Sequence, residues 1–169
     1  MRELSIRPAV ESDAAAINHI YNHYVRTATA TFDTEEMSLE RRRAWLAEHV
    51  GPYPVLVAED GAGGLLGWGS LSRWGTRRAY DRTVEISVYI AEESTGRGTG
   101  PAMSQALLGE AGRLGHHVVI SQIVHENEAS LKMAARQGFE HVGTLRQVGR
   151  KFDRWLDVVL MEYVVPDAE

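Results

Sequence analysis

Apolar and polar residues alternate from Leu4 to Arg7 before Pro8 interrupts them, the pattern of a short first strand. Ile17, Ile20, Tyr21 and Tyr24 then recur at helical spacing behind Ser12 and Asp13, which predicts a helix capped by one of those two. The small and β-branched run from Thr27 to Phe32 reads as loop or extended chain. Ser38 is placed to cap a second helix carrying Leu39, Trp45 and Leu46. Val55–Ala58 predicts a strand, the turn residues Asp60, Gly61, Gly63 and Gly64 close it, and Leu65–Leu71 forms the return. From Thr83 to Ile90 every even position is aliphatic. Glu85, Ser87 and Tyr89 therefore share the other face of that strand. It feeds Thr95-Gly96-Arg97-Gly98-Thr99-Gly100 and then Pro101, a residue favoured at the first helical position, with Met103, Leu107, Ala111 and Leu114 as the helical stripe behind it. Val118–Ile123 predicts another strand. Asn127 can cap a short helix that Gly138 ends, and two terminal strands follow around Val142–Val148 and Trp155–Val164. These elements predict an α/β fold whose mixed, mostly antiparallel sheet is flanked by helices. No repeat or linker divides residues 1–169, so a single domain is expected.

Composition narrows the chemistry. A net charge of -5 argues against a nucleic-acid partner, which would need a basic surface. With no cysteine, disulfides, thiolate metal sites and a Cys nucleophile are excluded, and a reducing, cytoplasmic setting fits. No signal peptide and no membrane-spanning run are read in the chain.

The strand, the glycine loop and the helix together make an anion site, because glycines let the backbone approach a ligand while helical N–H groups favour phosphate. The plain alternative is a strand-to-helix turn. A P-loop is excluded, since no Lys follows these glycines, and a Rossmann fingerprint fails where Pro101 replaces its third Gly or Ala. His19 and His23 have the i, i+4 spacing of a metal pair but bring no third ligand, so no metal is expected. Arg41-Arg42-Arg43 reads as a solvated face. No Gly-x-Ser-x-Gly elbow points to a hydrolase.

The segment Thr95–Gly100 resembles the acyl-CoA-binding motif of the GNAT acetyltransferase superfamily, and Asn127-Glu128-Ala129-Ser130 through Gln137-Gly138-Phe139 resembles the superfamily's Asn-x-x-Ser … Leu-Gly-Phe segment. Ile20-Tyr21-Asn22, Thr83-Val84-Glu85 with Val88-Tyr89, and Gln147–Phe152 with Trp155-Leu156-Asp157 are similar to the phosphinothricin and methionine sulfoximine acetyltransferase branch. The resemblance implies a GNAT fold and direct acetyl transfer from acetyl-CoA to the α-amine of a small amino-acid-like acceptor. It also implies a homodimer, in which Phe152–Asp157 contributes to the neighbour's site. Glu85 is the implied base, in keeping with a carboxylate in a strand interior that disfavours it. The implied acetyl-CoA contacts are Val88, Tyr89, Ile90, Thr95, Gly96, Arg97, Gly98, Thr99, Gly100, Asn127 and Ser130. A backbone N–H near Tyr89 or Ile90 would polarise the thioester carbonyl.

Two positions depart from that pattern. Ala134 stands where a Tyr or His commonly protonates the departing thiolate, leaving His125 and Tyr89 as substitutes, and Thr95 stands where Gln or Arg is favoured. For the acceptor, Phe32, Trp74, Tyr80 and Thr83 are the expected pocket residues, with Arg73, Arg77, Arg78 or Arg82 as a carboxylate anchor. Core packing explains Trp74 and Tyr80 equally well. The competing functions are acetylation of a peptide or protein N-terminus, and an acyl-CoA-binding sensor with little turnover.

Overall fold

The computed structural model of the chain describes residues 4–166. The strands are β1 (Ser5–Pro8), β2 (Val55–Glu59), β3 (Leu65–Arg73), β4 (Thr83–Ile90), β5 (Val118–Val124), β6 (Glu140–Lys151) and β7 (Arg154–Val164). The helices are α1 (Ala14–Thr27), α2 (Leu39–Glu48), α3 (Thr99–Arg113) and α4 (Glu128–Arg136). The seven strands form one sheet in the order β1-β2-β3-β4-β5-β7-β6. Every neighbouring pair is antiparallel except β4 and β5, which are parallel.

The sheet is covered on both faces, and β2 shows why its sequence is apolar without alternation. Val55 and Val57 face one way, into a cluster with Ile17, Ile20 and Val25 of α1 and with Trp68. Leu56 and Ala58 face the other way and join Met103, Leu107 and Ala111 of α3. A strand buried on both sides has no polar face to display. In β4 the even positions Val84 and Ile86 join the α3 side, while Tyr89 packs on the α1 side, as the alternation required.

Several local expectations shift. Asp13 precedes α1 and makes no cap bond to that helix; its carboxylate takes the Val10 N–H, the capping-box bond of the short turn Glu11–Asp13 that leads into α1, and the Arg7 guanidinium. Ser38 does cap α2 through the Arg41 N–H. Helix α3 starts at Thr99, so Pro101 is its third residue and not its first; Gly98, at φ +85°, supplies the left-handed entry. The three-arginine run is solvated at Arg41 and Arg43 but not at Arg42. Arg42 is 1% exposed, with its guanidinium carbon 4.6 Å from the Tyr21 ring centre, 4.7 Å from that of Trp45 and 5.2 Å from that of Trp68. Those aromatic faces hold a cation whose hydration is weak enough for burial.

Candidate active site

Strands β4 and β5 pair only at Thr83–Val118, Val84–Val119 and Glu85–Ile120, and then part. In a strand, successive N–H groups point to opposite edges. Ala91 N–H bonds Leu66 O on the β3 side, so the N–H groups of Ile90, Val88 and Ile86 face the gap while that of Tyr89 faces β3. Of the two proposed polarisers, strand parity therefore favours Ile90. Tyr24 fixes this strand end by donating from its hydroxyl to Ile90 O at 2.6 Å.

A cavity of about 490 Å³ occupies the gap. Glu85, Ser87, Val88 and Tyr89 form its β4 wall, and Ser121 to Val124 its β5 wall. Ser104, Asn127, Ser130, Met133 and Ala134 line it from the helical side, and the loop Thr29–Phe32 closes it opposite. Leu145, Val148 and Val158 complete it from β6 and β7.

Glu85 is half-buried, and Gln122 Nε2 donates to its Oε1 at 3.0 Å. Desolvation holds this carboxyl above its ordinary pKa, while the Gln122 bond partly opposes the rise. A proton acceptor moved toward neutrality suits removal of a proton from an amine. Burial likewise raises the Tyr89 hydroxyl, so Tyr89 is a neutral group in the wall. Ala134 is buried in the lining and has no proton to give. His125 is exposed and absent from the lining, which leaves Tyr89 as the one of the two substitutes that reaches the cavity.

The glycine loop lies beside this cavity. A methyl added at Gly100 would lie 3.4 Å from Met133 Sδ and 3.7 Å from Ile90 Cγ1. Gly96 and Gly98 are both left-handed, at φ +72° and +85°. The helical bonding of α3 begins with Ala102 N–H to Gly98 O, so Thr99 and Gly100 have no intrahelical acceptor for their N–H groups, and Pro101 has none to place. Free donors at the end of a 15-residue helix suit a pyrophosphate. Arg97 is exposed on the same loop, and the Thr95 hydroxyl is spent on Glu92 O at 2.8 Å. Asn127 caps α4 by accepting the Ser130 N–H at 3.2 Å, which explains their shared motif.

The acceptor residues divide. Phe32 lines the cavity, whereas Trp74, Arg78, Tyr80, Arg82 and Thr83 do not. Arg82 donates to Gly115 O, and Arg73 bonds Tyr53 and Asp81. Trp74, just past the end of β3, and Thr83, the first residue of β4, each stand two residues in sequence from the paired Ser72 and Glu85. Sequence reading missed Gln122 and Ser104. Ser121-Gln122 does interrupt an otherwise aliphatic β5, a signal that was present. Among the described residues no group of three His, Asp or Glu side chains is arranged to hold a metal, and His23 lies instead 3.4 Å from Glu92.

Residues 6–160 match the acetyltransferase (GNAT) domain family, and the chain belongs to it. It is accordingly an acetyl-CoA-dependent N-acetyltransferase. It is 42% identical to phosphinothricin N-acetyltransferase of Streptomyces coelicolor, over 95% of each chain. It is 40% identical to an L-methionine sulfoximine/L-methionine sulfone acetyltransferase of Pseudomonas paraeruginosa, over 94% of this chain and 92% of that one. A Salmonella typhimurium acetyltransferase structure with acetyl-CoA superposes with a TM-score of 0.93 at 36% identity, covering 98% of this chain and 95% of that one.

Proposed function

We propose that the protein acetylates the α-amine of phosphinothricin, methionine sulfoximine or methionine sulfone by direct transfer from acetyl-CoA. The observation that carries this reading is the fork of β4 and β5. It places the Glu85 carboxylate on the wall of a cavity beside the glycine loop at the start of α3. The names of the similar acetyltransferases support the acceptor class.

In this reading the backbone of Gly96 to Gly100, with Arg97, Thr95 and Thr99 beside it, holds the CoA pyrophosphate. Val88, Tyr89 and Ile90 align the pantetheine arm, with Asn127 and Ser130 across the gap. Glu85 takes the proton of the acceptor ammonium, directly or through water. The freed nitrogen bonds the acetyl carbonyl carbon, whose oxygen accepts from the Ile90 N–H. The carbon–sulfur bond breaks, the CoA thiolate leaves, and the second proton of the nitrogen passes to solvent, from which the thiolate is free to take one up. A free thiol has a pKa of about 8.5, so the thiolate leaves without an acid at position 134. Phe32 forms the acceptor wall. Trp74, Thr83, Arg78, Tyr80 and Arg82, which do not line the cavity, are assigned to the acceptor in this reading, with an arginine holding its carboxylate and so presenting the neighbouring amine.

The reading includes a cytoplasmic homodimer. Supporting the dimer, β6 is a sheet edge on which Val142 is 53% exposed and Val148 51%, with Trp155 63% exposed on the adjoining β7. The deciding experiment measures CoA release with free amino acids, the three analogues, a peptide N-terminus and an aminoglycoside, with products identified by mass. Preferred acetylation of methionine sulfoximine or phosphinothricin is expected. A far better peptide substrate would overturn the acceptor class, and binding of acetyl-CoA without turnover would favour a sensor.

A further inference from the structure

The turn end of the β6–β7 hairpin is fastened to the loop that closes the cavity. Lys151, the last residue of β6, is 4% exposed. Its ammonium donates to Ala28 O at 2.7 Å, to Thr31 O at 2.8 Å and to Tyr24 O at 3.4 Å. These carbonyls belong to the end of α1 and the loop after it, where the cation complements the helix dipole and satisfies the Ala28 and Thr31 oxygens, the Tyr24 oxygen already accepting the Ala28 N–H. A second tie runs from Thr29 Oγ1 to Glu126, which is paired through both oxygens with Arg154 of β7. Between the ties, the Phe32 ring lies against Gly149. A Cβ there would fall 2.1 Å from Phe32 Cε2 and 2.6 Å from Cδ2.

Neither Gly149 nor Lys151 lines the cavity, yet both fix a residue that does. We infer that Gly149 and Lys151 are positioning residues that seat Phe32 and its loop, and so set which acceptors the cavity admits. The inference rests on the acceptor role given to Phe32 above. It assigns selection of the acceptor to a hairpin remote in sequence from Glu85, and assigns nothing to acetyl-CoA binding. Lys151 supplies three donors to three fixed acceptors, and Gly149 supplies the missing side chain that the ring needs.

The test is a double-mutant cycle on the wild type's preferred amine. Gly149→Ala carries no left-handed backbone penalty, and its closest conflict is with the Phe32 ring. It should raise the acceptor KM about tenfold and leave the acetyl-CoA KM unchanged. In a Phe32→Ala background the same substitution should have almost no effect, because its target is gone. Additive effects of Gly149→Ala and Phe32→Ala would overturn the inference. Lys151→Met should raise the same KM and speed amide exchange over residues 28–32 while sparing β4 and β5. Unchanged exchange there would also overturn it. The exchange measurement needs no substrate. If the wild type turns over no amine on the panel, the proposed acceptor class falls, and the exchange result still decides whether the clamp exists.

Discussion

Gln122, two residues past the last β5 residue paired with β4, reaches across the fork of the sheet to donate to Glu85 at 3.0 Å. The carboxylate is therefore oriented at the point where the strands open. Glu85→Gln should lower turnover by roughly a hundredfold or more with acetyl-CoA affinity retained, as general-base loss predicts. Stability should move the other way. Burial raises the Glu85 pKa in the folded protein, so its contribution to stability is full below the unfolded pKa and is lost as pH rises through the folded one. The amide carries no such loss. The melting temperature of Glu85→Gln at pH 7 should thus equal or exceed that of the wild type, and thermal unfolding across pH checks it.

Gln122→Ala isolates the bond that opposes the rise. Without that donor the ionised form of Glu85 loses support, and its pKa climbs further. Since the base acts deprotonated, the acidic limb of the kcat/KM profile should shift to higher pH, while turnover at alkaline pH changes little. An unshifted limb would show that another group controls it.

Gly98 tests the cradle through its backbone. Nothing lies within 4 Å of an added Cβ, so a side chain meets no steric neighbour, but φ is +85°. A β-branched residue there costs about 1–2 kcal/mol or more in left-handed strain, which the loop relieves by turning its N–H groups away. Gly98→Val should weaken acetyl-CoA binding at least about tenfold by calorimetry, while the melting temperature falls by only a few degrees.

The parts legible in the sequence are those whose signals are local. Alternation in Thr83–Ile90 placed Glu85, the glycines marked the start of α3, and Asn127 and Gly138 bounded α4. The cavity was not legible, because the parting of β4 from β5 is a tertiary event and no run of residues encodes it alone. Lys151 shows the same limit. Its carbonyl partners lie 120 to 127 residues away, and a basic residue beside a hairpin turn reads as solvent-facing until that contact is known.

Arg42 was misread for a similar reason, and its burial yields an unusual ranking of substitutions. Its Nη2 and the Trp68 Nε1 are buried with no acceptor among the described residues, and desolvation lowers the Arg42 pKa. The side chain is held by aromatic faces and by a long bond of 3.4 Å from Nε to Asn18 Oδ1. No carboxylate among the described residues is hydrogen-bonded to it, so the cation bears a desolvation cost that the rings, with the nearby Asp33 charge, offset only in part. Arg42→Lys keeps the charge, but concentrates it on a strongly hydrated ammonium that loses the planar stacking. Arg42→Met removes the charge, fills a similar volume and lets sulfur pack on Trp45 and Trp68. Met should therefore be better tolerated than Lys, by about 1 kcal/mol or more. In a domain of this size that corresponds to about 2–4 °C in melting temperature. Arg42→Ala should be the worst of the three, because it leaves a cavity between Tyr21, Trp45 and Trp68. Thermal unfolding of the three variants at pH 7 decides the order. A Lys variant more stable than the Met variant would mean that the cation itself, and not the volume between the rings, is what the core requires.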